Sequence, residues 1–386
     1  MGESVPRSAE VVIVGAGSTG LSIAYHLASL GVRDVVVVDR LGIASGSTGR
    51  SAGGIRQQFA SEVNVRLSLY SVQAYERFKE EVGQDIDFRQ YGYLFLATTP
   101  EEVEAFSTNV ALQQSLGVPV RLIAKEEAKE IVPQLHVGDV LAATFCPTDG
   151  YADPYSVAMG YAAAARRMGV SIVEGVEVTG IKVTRGRVTS VVTGKGEIST
   201  HTVINAAGPW AGVIGRMAGV DLPIQPFRRQ VFVTGPFDKL PERLPMVIEF
   251  RTHFYFRREG PGILFGMTDP DEPPGFHTHV DWAFLEKVLA RAVHRVPVFA
   301  EASVHRGWAG LYDTTPDDNP ILGKIPEVEG FIVAAGFSGH GFMHAPAVGR
   351  CIAEIVVFGE AKTVDISSLS YGRFVQGGRG RELYVI

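Results

Sequence analysis

The chain has 386 residues, 46% of them hydrophobic and 20% charged, which is the composition of a folded globular protein with ample core. A formal net charge of −6 excludes the basic footprint of a nucleic-acid or anionic-membrane binder. No apolar run approaches the ~20 residues of a transmembrane segment, and Met1 to Glu10 lacks a signal peptide's apolar core. Cys146 and Cys351 stand far apart without C-x-x-C or metal-ligand spacing, so two buried thiols and a cytoplasmic location are expected.

The first predicted element is Val11-Val12-Ile13-Val14, a β-branched run of the kind that forms a buried parallel strand. Gly15-Ala16-Gly17-Ser18-Thr19-Gly20 follows at G-x-G-x-x-G spacing, then an apolar-periodic helix and Val35-Val36-Val37-Val38-Asp39-Arg40. In such a unit the first glycine permits a tight turn, the second lets backbone approach a pyrophosphate, and the third lets helix pack on strand. The helix N-terminus offers free N–H groups and a positive dipole end to the phosphates. Asp39 stands where a carboxylate accepts from a ribose. This order of elements predicts a dinucleotide site, with nicotinamide and flavin both open at this point.

Gly42 to Gly54 is a loop of small residues without helix or strand character, able to lie along a ligand. A helix is expected over Glu62–Glu81, a strand over Tyr91–Ala97, and helices over Pro100–Leu116 and Lys125–Ile131. Asp153 reads as an N-cap and Pro154 as the first residue of a helix through Met168. Strands are expected over Gly169–Glu174, Val176–Ile181 and Thr202–Gly208, then short alternating strands from Ile224 to Phe265. The last elements are a helix over Trp282–Arg295, a strand over Gly330–Gly336, a helix from Pro346 to Val357, and a glycine-rich tail at 377–381 expected to fray. His277 and His279 sit among prolines as loop residues, and no metal set is evident.

The parallel α/β pieces are therefore scattered along the chain. The expected fold class is α/β (α+β overall): a Rossmann-like domain from 1–90, 150–220 and 320–386, interleaved with a substrate domain from 91–149 and 221–319 on a mixed or antiparallel sheet.

Together these pieces resemble the D-amino-acid oxidase-like FAD-dependent oxidoreductases over nearly the whole chain. The motifs are the first glycine loop with Asp39, Asn205-Ala206-Ala207-Gly208-Pro209-Trp210, and Gly336-Phe337-Ser338-Gly339-His340-Gly341-Phe342. Gly46-Ser47-Thr48, Gly54-Ile55-Arg56-Gln57-Gln58-Phe59, Pro147-Thr148-Asp149-Gly150 and Gly339 to Gly349 are most similar to the β subunits of heterotetrameric sarcosine oxidase and dye-linked L-proline dehydrogenase.

The resemblance implies that Gly15, Ala16, Gly17, Ser18, Thr19 and Gly20 hold the FAD pyrophosphate, with Asp39 and Arg40 at the adenosine end. It places Ser47 and Thr48 along the pyrophosphate and ribityl chain, Gly53 and Gly54 near the ring, and Val178 at adenine. Ala207, Gly208, Trp210, Gly310 and Gly336 pass close to the cofactor, and Gly339, His340, Gly341, Phe342 and Met343 face the isoalloxazine. On the substrate side it implies Arg56 as carboxylate ligand, Tyr255 on the substrate face, and His340 and Met343 beside the flavin.

Departures from the family pattern shape the expected chemistry. Tyr312 stands where D-amino-acid and glycine oxidases carry an arginine. Gly310 and Arg50 replace residues that attach FAD covalently in relatives, so noncovalent FAD is expected, and Pro154 makes any FMN at a subunit interface noncovalent too. Leu264 and Met343 replace lysines of sarcosine oxidases, which favours a dehydrogenase over an oxidase. The expected function is FAD-dependent oxidation of a secondary-amine amino acid, L-proline or sarcosine-like, with a partner subunit taking electrons onward. A peroxide-producing oxidase and a non-catalytic flavoprotein assembly factor are the alternatives.

Overall fold

A computed structural model describes residues 5–375 and 381–384. Residues 377–380 of the glycine-rich tail lie outside the described residues.

Val11–Val14 is buried along its whole length because it runs inside a parallel sheet covered by helices on one face and by a small three-stranded sheet and helix Ala211–Met217 on the other. The sheet order is Ile321–Lys324, Phe331–Ala335, Val203–Asn205, Val11–Val14, Val35–Asp39 and Ser171–Glu174, parallel except for its first pair. Ile13 therefore lies between Ile204 and Val37, bringing strands nearly two hundred residues apart in sequence into contact.

On one face, helix Ser18–Ser29 packs against Pro154–Arg167 and Gly341–Phe358. A Cβ at Gly349 would stand 2.1 Å from the Ser22 hydroxyl, so this crossing requires glycine. Helix Gly341–Phe358 has the length and hydropathy of a membrane segment, yet most of it is buried in this core.

The second large sheet runs Val304–Thr314, Gln225–Thr234, Gly262–Met267, Phe254–Glu259, Met246–Glu249, Tyr93–Ala97, Ala142–Cys146 and Arg121–Ile123. It is antiparallel except where Met246–Glu249 pairs with Tyr93–Ala97, and so is a mixed sheet. Phe284, Val288 and Ala292 of helix Trp282–Arg295 close its outer core. Its opposite face turns toward the cavity described below.

Three expected elements differ. The helix expected over Glu62–Glu81 breaks at Arg77 (φ −97°, ψ 7°), which turns Phe78 into the core, its ring 4.8 Å from Tyr161. The Gly42–Gly54 loop contains a 3-10 turn at Thr48–Arg50, and Gly54–Ile55 pairs with Gly150–Tyr151. The helix expected to start at Pro346 starts at Gly341 instead. Pro346 cannot donate to the Phe342 carbonyl, and the Tyr75 hydroxyl takes that acceptor at 2.6 Å.

Candidate active site

The glycine loop and the loop ending at Gly54 form one end of a cavity of about 460 Å3, lined by both large sheets. Asp39 ends its strand there, accepting the Ala16 N–H at 2.8 Å and the Leu41 N–H at 2.8 Å. Its carboxylate thus fixes the phosphate loop as well as facing the cavity. Thr48 Oγ1 accepts the Ser18 N–H at 3.0 Å, tying the second loop to the first turn of helix Ser18–Ser29. Ser47 donates to the Leu311 carbonyl at 2.7 Å, so its hydroxyl anchors the loop to strand Val304–Thr314.

Arg40, Trp210 and Phe276 form a stack at this end. The Arg40 guanidinium lies 3.9 Å from the Trp210 ring centre, and Phe276 stacks on Trp210 with ring centres 5.5 Å apart. Phe276 comes from the segment after Asp269, which the buried Arg228–Glu272 pair holds with bonds of 3.0 and 2.8 Å. Val178, Ala207 and Gly208 also line this half.

Gly310 stands 3.1 Å, by its would-be Cβ, from the Arg50 side chain, so the two positions from which noncovalent FAD is expected face each other. Neither supplies a Cys or His. Gly53, Gly54 and Gly339 to Met343 continue the wall, and helix Gly341–Phe358 begins on it. A dipole at that helix start favours negative charge on a ligand edge.

His340 is buried, and both its ring nitrogens lack a partner among the described residues. Burial and the neighbouring His344 hold its pKa well below the usual imidazole value, so it is neutral. It packs edge-on to Phe59 and His344. A neutral, unpartnered imidazole in the wall fits a polar ligand edge better than an acid–base role.

The substrate half is aromatic. The Tyr93 hydroxyl rests against Gly54, where a Cβ would fall 1.8 Å from it, and the Tyr312 ring lies on Gly339, 2.3 Å from a would-be Cβ. Tyr255 lies across Gly266 in the same manner. Burial raises the pKa of all three phenols, so each is neutral.

Arg56 lines the cavity with its guanidinium 3.9 Å from the Phe59 ring centre. Two of its terminal nitrogens donate to the Gln58 and Tyr384 carbonyls, and no carboxylate pairs with it among the described residues. Three of its five N–H groups remain for a ligand.

Most expected residues meet on this wall, including Met343, and two do not. Gly20 lies off the wall and packs helix on strand, its would-be Cβ 2.0 Å from the Gly15 carbonyl oxygen, while Gly15 through Thr19 line the cavity. Gly336 turns its N–H to Asp313 at 2.7 Å and does not line the cavity. Sequence reasoning missed Tyr93 and Arg229. Strand alternation could have found Arg229, since it shares a face with Val231.

Cys146 and Cys351 are buried free thiols, as expected. His136, Asp139 and His294 cluster within ligand distance of one another far along the chain, but Arg291 and Arg295 already hold the Asp139 carboxylate. His277 stacks on His279 and meets Glu272 at 2.9 Å.

A Rossmann sheet, a glycine-rich phosphate loop and a long cavity ending in an aromatic chamber define a dinucleotide-dependent oxidoreductase. The chain belongs to the FAD dependent oxidoreductase family, whose model matches residues 10–355. FAD is therefore its dinucleotide.

The chain is 33% identical to rat mitochondrial dimethylglycine dehydrogenase, covering 95% of this chain and 45% of that protein. It is 35% identical to FAD-dependent oxidoreductase domain-containing protein 1 of Xenopus laevis, covering 97% and 84% respectively. It thus spans about half the length of the dehydrogenase it matches. Among solved structures, L-proline dehydrogenase from P. horikoshii superposes with a TM-score of 0.91 at 39% identity, covering 97% of this chain and 100% of that one.

Proposed function

We propose that this protein is an FAD-dependent dehydrogenase that oxidises a secondary-amine amino acid, proline-like or N-methylated. The observation that carries this reading is the chamber of Tyr93, Tyr255 and Tyr312 with Arg56 in its wall, beside neutral His340. FAD, when bound, accepts a hydride from the carbon next to the amine. The aromatic rings exclude water and enclose the substrate's alkyl groups, while Arg56 offers a fixed cation to its carboxylate. A neutral imidazole at His340 adds no positive charge beside the amine, which favours the unprotonated amine that the reaction consumes. The identity with L-proline dehydrogenase supports a secondary amine, and that with dimethylglycine dehydrogenase, named for a tertiary amine, supports N-methylation of the substrate.

Leu264 and Met343 leave both lysine positions of sarcosine oxidases uncharged, which supports electron transfer to an acceptor other than oxygen. A partner subunit is the acceptor in this reading. The test is anaerobic mixing of holoprotein with proline, sarcosine and N,N-dimethylglycine, followed by flavin absorbance. Bleaching by proline or sarcosine supports the assignment; a flavin bleached by N,N-dimethylglycine alone, or by no secondary amine, rejects it.

A further inference from the structure

Arg229 sits in strand Gln225–Thr234 opposite Gly310, and its neighbour Phe227 sits opposite Tyr312. Directly opposed residues share a face, so Arg229, Val231, Tyr312 and Gly310 all turn toward the cavity, which each of them lines. Val231 pairs with Gly266 and Gly266 with Tyr255, so the same face continues into the aromatic chamber.

The Arg229 guanidinium lies 5.0 Å from the Tyr312 ring centre. Its Nε is sealed from solvent and has no hydrogen-bond partner, while Nη1 donates to the Arg228 carbonyl at 3.0 Å. No carboxylate reaches ion-pair distance among the described residues. Glu272, an acid that acts on it electrostatically, is already taken by Arg228 and His277.

Enclosing a cation without a counter-ion is costly. Arg56, buried in the same wall, also lacks an acid partner among the described residues. Tyr312 feels both guanidiniums. Arg56 lies over the Phe59 ring and Arg229 beside the Tyr312 ring, so the two cations enter the chamber from different elements. Asp313, an acid that lines the same cavity, accepts the Gly336 N–H.

Resting on the reading of the cavity as an amino-acid oxidation site, we infer that Arg229 binds a second anionic group, so that the substrate is a secondary-amine amino acid with two carboxylates. The second carboxylate sits on the N-substituent or on the side chain. Arg56 takes one carboxylate and Arg229 the other, with Tyr312 between them.

The test uses redox-inert thioether analogues, with sulfur in place of the amine, titrated into FAD-loaded protein and read by perturbation of the flavin spectrum. Thiodiglycolate carries two carboxylates and methylthioacetate one. In the wild-type protein the diacid is expected to bind about thirtyfold or more tightly than the monoacid. Arg229→Met should collapse that ratio toward one, and Arg229→Lys should keep most of it, with circular dichroism and FAD content confirming both folds. A wild-type ratio near one, or a ratio unchanged in Arg229→Met, overturns the inference. A flavin that no secondary amine bleaches, alongside a retained diacid preference, overturns the proposed oxidation and leaves the two-anion site standing.

Discussion

Tyr75 donates its hydroxyl to the Phe342 carbonyl across 2.6 Å, one turn ahead of the proline that cannot serve that acceptor. The bond lets helix Gly341–Phe358 run through Pro346, so the helix starts on the cavity wall rather than behind it.

Tyr75→Phe leaves this buried carbonyl unpaired, at an expected cost of ~1–3 kcal/mol. The measurement is urea unfolding of the FAD-free protein, where the midpoint should fall with the slope unchanged. FAD affinity should fall as well, because the first turn of the helix loosens where it meets the cavity. A midpoint equal to that of wild type would show that the helix start does not depend on Tyr75.

Asp39 spans the glycine loop and the chain beyond its own strand through the Ala16 and Leu41 N–H groups. Asp39→Ala removes two charge-assisted bonds, each worth ~1.5–3 kcal/mol, and frees the loop that shapes the phosphate site. FAD should dissociate at least about tenfold more readily, measured by fluorescence as the flavin is released. Asp39→Asn keeps the Ala16 or Leu41 bond but not both, and should fall between. Equal FAD affinity in all three proteins would refute this role.

The first βαβ unit was legible because one short stretch carries its whole pattern: Val11–Val14, three spaced glycines and Asp39. The Pro346 boundary was not, because the partner that rescues the helix, Tyr75, lies 267 residues away in sequence. Gly20 and Gly336 were assigned to the cofactor from motif position, whereas in the fold neither lines the cavity: Gly20 packs on Gly15 as its place in the motif also implied, and Gly336 bonds to Asp313. Arg229 was hidden for another reason. Its significance comes from what it lacks, an acid partner, and only the folded neighbourhood reveals that lack.

Asp313 and Asp149 make stability depend on pH. Burial raises each carboxyl to a pKa of about 6, against partial compensation from N–H donors at Gly336 and at Gln57 and Gln58. A folded pKa above the unfolded value near 3.8 means the native state binds the proton more tightly. Their stabilisation is full below the unfolded pKa and is lost as pH rises through about 6. Urea midpoints should therefore fall between pH ~4 and ~6 through these groups. Asp313→Asn should flatten part of that fall, and a profile identical to wild type would remove Asp313 as a source.

Leu264 tests the electron-acceptor reading from the opposite direction, by adding charge. It is 1% exposed and clusters with Val231 and Val233, packed against Ala52 of the small-residue loop, Tyr255 and Trp308. On its other side a second cleft opens, also lined by Trp308, Arg306 and Pro154. A lysine there can lie along this apolar patch and extend its ammonium between Ala52 and Tyr255, both of which line the main cavity. Its charge would favour negative charge developing on oxygen near the flavin. Leu264→Lys should thus raise the rate at which oxygen reoxidises the reduced protein by about tenfold or more, while Leu264→Met, similar in volume and uncharged, should not. Stopped-flow mixing of photoreduced protein with air-saturated buffer measures both. Rapid reoxidation of the unaltered protein, or an equal gain from methionine, would mean that the missing lysine is not what keeps oxygen out of the reaction.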